Sequence, residues 1–409
     1  MEKFKDSFLL PSFASTATDA CRRPRYSLAP LFRCTMSSGS QQQQRCNLTK
    51  PTFTEKQAAE LVKRIFGLEV SQLTPLPSYD DQNFHMCTAS FTEKGESPRE
   101  FVLKITNCED SQNSELIEVQ TQIMMFLNSE GFPVALPHLT QEGKVMFLQT
   151  VETGSSTQEY VVRLLSYLPG TTVATLPVSP PVLYEIGQMA AKLDKTLAEK
   201  FQHPLIKSLH RGEFIWNLTN VPLLKKYIYA LGKREYLEAA NQVIEQFQVQ
   251  IIPKLSSFRP CINHGDFNDH NILVDVVSAS PPNPHYRISG ILDFGDMSYG
   301  YYVFEVAIAM MYMMIESKDP LLVGGHILAG FESVVPLTTE ERAALFLLVC
   351  GRYAQSLVIA AHMTILHPEN EEYLMITAKK GWKHLMMLVE MGQETVEKIW
   401  FQTAESYLK

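Results

Sequence analysis

The residues best suited to chemistry lie between His264 and Asp296. The run His264-Gly-Asp266-Phe-Asn-Asp-His-Asn271-Ile-Leu-Val274 sets an aspartate and an asparagine five residues apart. A second run closes on Ile291-Leu-Asp293-Phe-Gly-Asp296. Between them, apolar stretches at 272–277 and 286–292 flank a polar turn with Pro281, Pro282, Asn283 and Pro284, the pattern of a β-hairpin. In a hairpin the loop before one strand lies beside the loop after the other, so Asp266, Asn271 and Asp293 converge at one edge. A carboxylate placed there can orient a hydroxyl nucleophile and take its proton. An asparagine and an aspartate beside it offer hard oxygens to Mg²⁺. The set suits phosphoryl transfer. A single aspartate in a loop is most often a turn former; two such motifs, in order and each beside a strand, favour catalysis.

The pair resembles the H-R-D-x-x-x-x-N and D-F-G motifs of protein kinases, with His-Gly-Asp in place of His-Arg-Asp. Upstream, Phe101-Val-Leu-Lys104-Ile resembles the strand whose lysine touches nucleotide phosphates. Glu118 is the expected helical partner of Lys104, with Glu115 and Gln120 as rivals. Two departures point away from protein substrates. The stretch expected to cover the phosphates, Leu76-Pro-Ser-Tyr-Asp-Asp-Gln-Asn-Phe84, holds no glycine. After Asp296 the chain enters an apolar helix at 297–315 with no activation segment, so a small-molecule substrate fits better.

The elements that must position these residues read in two styles. Helical spacing at 54–66, with Thr54 as N-cap, precedes strands at 83–91 and 99–105, joined by a turn at Gly95 and Pro98. A helix at 116–127 and strands at 145–151 and 160–167 follow. Beyond Gly170 come long helices at 181–200, 227–249, 343–362, 373–391 and 394–407, with a capping box in Thr338-Thr-Glu-Glu341. The expected fold is α+β and two-lobed in the protein-kinase manner. A small lobe at 49–167 carries an antiparallel sheet plus a helix and grips nucleotide; a mostly helical large lobe at 168–409 carries the catalytic loop and substrate. Residues 1–48, with a Gln41 to Gln44 run and no periodicity, read as a disordered extension. Their excess of Lys and Arg is faintly like a mitochondrial transit peptide, and Met36 offers a second start.

Composition sets outer bounds. The chain has 409 residues with 36 Lys+Arg against 44 Asp+Glu, a net charge of −8. That balance argues against nucleic acid or an anionic membrane as partner. The seven cysteines form no C-x-x-C pair, which suits reduced thiols in a cytoplasmic setting. Apolar stretches around 303–315 and 345–361 are interrupted by Glu305 and Arg352 and read as buried helices. A zinc site on His264 and His270 lacks a third ligand at suitable spacing. Oligomeric state leaves no trace in the sequence.

From about Pro51 onward the chain resembles the aminoglycoside phosphotransferase and choline kinase-like superfamily. Within it, Leu76-Pro-Ser-Tyr-Asp-Asp-Gln-Asn-Phe84, Val162-Arg-Leu-Leu-Ser-Tyr-Leu-Pro-Gly170, Ile291-Leu-Asp-Phe-Gly-Asp-Met-Ser-Tyr-Gly-Tyr-Tyr302 and Gly351-Arg-Tyr-Ala-Gln-Ser-Leu357 are similar to the kinases of 5-hydroxy-L-lysine. The resemblance implies GTP as donor, Mg²⁺ as cofactor, and 5-phosphohydroxylysine and GDP as products, in lysine degradation. It implies Asp266 as catalytic base, Asn271 and Asp293 as Mg²⁺ ligands, and Lys104 on the α and β phosphates. Residues 166–169, Ser166 and Leu168 among them, would be the hinge that holds the nucleobase. Other readings stay open: a kinase of an aminoglycoside, choline or homoserine, or a pseudokinase scaffold that binds nucleotide. For a substrate with two ammonium groups, Asp269, Asp296 and Glu305 offer counter-charges. Tyr299, Tyr301, Tyr302 and Tyr312 offer cation–π faces. Arg163 and Arg352 could meet its carboxylate or close structural ion pairs, and Trp216 is a core aromatic or a substrate wall.

Overall fold

The computed structural model describes residues 50–408, apart from 77, 79–80, 89–98, 154–155, 279–284, 367 and 369–370. The expected N-terminal extension and the turn at Gly95 and Pro98 lie outside the described residues.

The chain opens with α1 (Glu55–Phe66), started by Thr54, whose side chain accepts from the Gln57 amide while Gln57 caps Thr54 in return. Strands β1 (Val70–Leu76), β2 (Gln82–Thr88) and β3 (Glu100–Ile105) follow, then the short α2 (Cys108–Ser111) and α3 (Ser114–Ser129). Next come β4 (Pro137–His138), β5 (Phe147–Thr153) and β6 (Ser156–Ser166). These six strands form one sheet in the order β1-β2-β3-β6-β4, with β5 also on β6, and every pairing is antiparallel. Alternation decides its faces. Phe84, Met86, Phe101, Leu103, Ile105, Val162 and Leu164 point to α1 and make a small core of their own. Asn83, Val102, Lys104, Arg163 and Leu165 occupy the other face, toward the cleft.

The remainder is helical with two small sheets. It comprises β7 (Thr171–Thr172), α4 (Pro180–Lys200), α5 (Arg234–Gln250), β8 (Pro260–Asn263), β9 (Ile272–Ser278) and β10 (His285–Ile291). It continues through β11 (Ser298–Tyr301), α6 (Tyr302–Ile315), α7 (Pro320–Glu332), α8 (Thr339–Leu366), α9 (Glu371–Met391) and α10 (Gln393–Glu405). The expected hairpin is β9–β10, extended by β7, and β8 pairs with β11. Thr338 and Glu341 cap α8 reciprocally, as their spacing implies. Helix α8 is apolar and long enough to cross a membrane, yet 94% of its apolar window is buried inside the fold.

Strand β1 and helix α7 were not expected from the sequence, and two of the expected elements differ. The helix expected at 227–249 begins only at Arg234, and the chain before it winds through 3₁₀ turns, Leu218–Lys226 and Ile228–Ala230. Gly232 just ahead of Arg234 lowers the helical preference there. The segment after Asp296 first makes β11, whose Ser298 and Gly300 face inward against β8, before α6 starts.

Packing also redraws the lobe division. The large core takes in Leu116, Val119, Ile123, Met124 and Leu127 of α3. The amide of Ile291 donates to Pro133 O, and Val134 bridges to Ile291. Helix α3 therefore belongs, by its contacts, to the helical body.

Candidate active site

The catalytic loop is built by the hairpin it precedes. The Leu292 amide donates to Asn271 O at 2.8 Å, which clasps the end of β10 to the start of β9 and sets Asn271 beside Asp293. His264 reaches across the same gap, its Nε2 donating to Leu292 O at 2.9 Å. Burial pushes this imidazole down to about 4, so it is neutral, and its Nδ1 accepts from the Asp266 amide. Gly265 between them has φ +81°, and a Cβ there would lie 2.6 Å from Asp296 O. That contact explains why glycine stands where protein kinases carry arginine.

Asp266 is held at both oxygens. Asn271 Nδ2 donates to Asp266 Oδ2 at 2.8 Å and to its carbonyl at 3.0 Å. Arg352 Nη2 lies 3.5 Å from Oδ1. Burial and the nearby Asp296 carboxylate raise the Asp266 pKa to about 7, against the pull of Arg352. Because the Asn271 amide nitrogen is spent on Asp266, its Oδ1 is left for a cation. Asp293 is the only non-glycine with positive φ among the described residues, at +52°, a conformation that costs about 1–2 kcal/mol. Its side chain accepts from the Gly295 amide and lines the cleft with Asn271. Two hard oxygen donors on one wall fit a divalent ion such as Mg²⁺.

Lys104 reaches this wall from β3, with Nζ 3.1 Å from Asp81 Oδ2 and 3.7 Å from Asp293 Oδ1. Glu118 is thus not its partner. That role falls to Asp81, a buried residue ahead of β2 that also accepts from the Asn107 amide at 3.0 Å. Glu118 sits on α3 outside the cleft lining, whereas its rival Gln120 donates to Gly295 O at 2.9 Å. Arg211 Nη1 donates to the same carbonyl, also at 2.9 Å. Sequence reading missed Asp81 and Arg211. The Asp-Asp pair in 80–81 was the available signal for the first; nothing local marks the second.

At the far end of the cleft, Ser166, Tyr167 and Leu168 line the wall. Ser166 exchanges two hydrogen bonds with Leu136, and the Tyr167 amide donates to Glu100 O. Leu168 carries the first amide beyond β6 with no protein acceptor among the described residues. Arg163 faces the same cleft and donates to Thr121 Oγ1, which removes it from the acceptor side.

The expected substrate residues separate. Asp296 is buried beside Asp266. Asp269 is buried too, with Oδ2 lacking any hydrogen-bond partner, and burial together with Glu316 raises it to about 7. Tyr299 stacks on His210 at 3.9 Å. Glu305 is fully buried and turned inward; its Oε2 accepts from the Gly265 amide at 3.2 Å. It is a structural group and cannot meet a substrate. Trp216 is likewise a core residue, 2% exposed.

Glu305 shares its burial with Asp194, and desolvation raises both, Glu305 to about 7. A carboxyl whose folded pKa is raised stays protonated in the fold and ionises on unfolding above about pH 4.5. Stability from this pair is complete below that value and is lost as pH rises through 7. Glu305→Gln is expected to flatten the fall in urea midpoint between about pH 5 and 8. An unchanged slope would remove the pair from the pH response.

Comparison with known proteins follows the geometry. Residues 88–346 match the model of the phosphotransferase enzyme family. The chain belongs to that family. It is a small-molecule phosphotransferase with the kinase-like, two-lobed α+β fold. A hydroxylysine kinase of Bos taurus is 60% identical over 372 residues, covering 91% of this chain and 98% of its own. A hydroxylysine kinase of Mus musculus is 56% identical with the same coverage. Among solved structures, an amicoumacin kinase superposes with TM-score 0.58 at 15% identity, covering 85% of this chain and 94% of its own. A microcompartment-associated aminopropanol kinase gives 0.56 at 14% identity, covering 84% and 98%. At such identities these two speak for the fold alone. The family implies a nucleotide and a divalent ion in general, and the cleft lined by Leu168, Lys104, Asn271 and Asp293 offers polar groups suited to both.

Proposed function

We propose that this phosphotransferase moves the γ-phosphoryl of GTP to the side-chain hydroxyl of 5-hydroxy-L-lysine, giving 5-phosphohydroxylysine and GDP in lysine breakdown. The observation that carries the reading is the site itself, Asn271, Asp293 and Lys104 lining one cleft with Asp266 bonded to Asn271, in a chain at least half identical to hydroxylysine kinases over nearly their full length. Asp266 orients the hydroxyl and takes its proton at Oδ1, since Oδ2 is occupied by Asn271. Lys104, held by Asp81 and Asp293, is placed for the phosphates. Asn271 and Asp293 would hold Mg²⁺, which neutralises charge on the phosphoryl group when bound. The Leu168 amide meets the base. Asp269, with an orphaned buried oxygen, and Asp296 supply negative charge for ammonium groups, and Tyr299 borders them. Support for guanine over adenine is the likeness of the hinge and cleft segments to that branch of the family. The seven cysteines are widely spaced with no C-x-x-C pair, which supports a cytoplasmic location.

One panel tests reaction, acceptor and donor together. Hydroxylysine, lysine, choline, homoserine and an aminoglycoside are each incubated with GTP and with ATP, and nucleoside diphosphate is measured. Hydroxylysine with GTP is expected to give the highest kcat/KM, and lysine, lacking the hydroxyl, none. Turnover of another acceptor with hydroxylysine inert would overturn the assignment.

A further inference from the structure

Arg352 lies in the middle of α8 with 0% exposure, an unusual place for a guanidinium. Its Nη1 donates to Trp216 O at 2.8 Å and its Nη2 to Gly265 O at 3.0 Å. The same Nη2 stands 3.5 Å from Asp266 Oδ1. The rings of Trp216 and Tyr312 flank it at 5.0 and 5.3 Å, so the cation is sandwiched and its fork is fixed. Both terminal nitrogens donate to backbone carbonyls, while Nε has no hydrogen-bond partner among the described residues. Its full burial argues against contact with a substrate carboxylate, one of the two roles its sequence position allowed.

A buried ion pair is poor evidence for stabilisation, because apolar residues of similar volume often serve a core as well. What sets this one apart is where its donors point. They fix the carbonyl of Gly265, the residue before the base, and touch one oxygen of the base. Asn271 holds the other oxygen at 2.8 Å, so the carboxylate plane is clamped from two sides. The long Arg352 contact leaves Oδ1 able to accept a hydrogen bond from an incoming hydroxyl, whereas Oδ2 is already engaged.

We infer that Arg352 is a positioning residue: from α8 it fixes the Gly265–Asp266 backbone and the plane of the Asp266 carboxylate, so that Oδ1 faces the acceptor hydroxyl. A misplacement on the order of 1 Å at a reacting group can cost about a hundredfold in rate. The effect belongs in kcat, because neither substrate touches the guanidinium.

The test uses Arg352→Lys and Arg352→Ala in the full chain, with 5-hydroxy-L-lysine and GTP, reading kcat, both KM values and the thermal midpoint. Lysine keeps the charge but cannot span Trp216 O and Gly265 O, so kcat is expected to fall about tenfold with each KM within about threefold. Alanine is expected to lose about a hundredfold in kcat, with part restored by millimolar guanidinium entering the vacated space. A purely structural role would show neither selective loss of kcat nor rescue. Wild-type kcat in the lysine variant, or a raised acceptor KM at unchanged kcat, would overturn the inference. If the alanine variant fails to fold, the lysine variant decides. The inference rests on Asp266 being the base: an active Asp266→Asn enzyme sinks that reading, whereas a fully active Arg352→Lys beside an inactive Asp266→Asn sinks this one alone.

Discussion

Asp266→Asn should reduce kcat by about 10²–10⁴ while nucleotide affinity stays within about threefold of wild type. The substitution preserves volume, so the loop has no packing reason to move. Its oxygen can still accept from Asn271 Nδ2, but the new amide nitrogen then faces the Arg352 guanidinium, donor against donor. Flipping the amide moves the conflict to Asn271. Either way the site loses the atom that takes the hydroxyl proton, and positioning and electrostatics alone remain. In the proposed reading the nucleotide is held mainly by Lys104 and the hinge, which do not touch Asp266. Steady-state kinetics with a fluorescent-nucleotide titration separates the two quantities. Retained turnover would exclude proton acceptance by Asp266. Lost nucleotide affinity would show that the residue acts by holding the cleft together.

Gly187→Ala and Gly330→Ala should each destabilise the protein by about 1–3 kcal/mol or more, where helix propensity alone predicts a small gain. Gly187 lies in α4 and Gly330 in α7, and the two helices cross backbone to backbone. A Cβ on Gly187 would lie 2.0 Å from Ile327 O, and one on Gly330 would lie 1.9 Å from Tyr184 O. The contacts are reciprocal and end on main chain, so no rotamer change relieves them and the helices must separate. Helix α4 also carries Asp194, which accepts from Asn263 Nδ2 at 2.9 Å beneath the catalytic loop. Separation therefore reaches the site. Urea denaturation gives the sign directly, and a stabilised alanine variant would contradict the packing described here.

The parts legible in the sequence were those where local pattern and tertiary demand coincide. The hairpin after Asn271 is marked by two β-rich runs around a proline-rich turn, and it alone brings Asp266, Asn271 and Asp293 together. Thr54 and Thr338 announce helix starts because capping is settled within four residues. The errors fall where the deciding partner is remote in sequence. Glu118 and Asp81 are equally plausible partners for Lys104 by composition; only the register of β2 on β3, with Asn83 opposite Lys104, brings the chain around Asp81 within reach. Glu305 looked available for substrate because charged residues usually face water. Its helix is buried all round, and one carboxyl oxygen accepts from the Gly265 amide. The late start of α5 and the strand β11 were hidden for the same reason, since 3₁₀ turns and a four-residue strand leave little periodicity to read.

The attachment of α3 to the larger core governs how this enzyme can move. Rotating that helix away would expose five apolar side chains and break the Gln120 bond to Gly295. The backing behind the cleft wall is therefore tied to the larger core. The sheet packs with α1 around a small core of its own and bears Lys104 toward Asp293. Displacing α3, the helix that protein kinases swing, would here cost the burial of those five apolar side chains as well as the Gly295 contact.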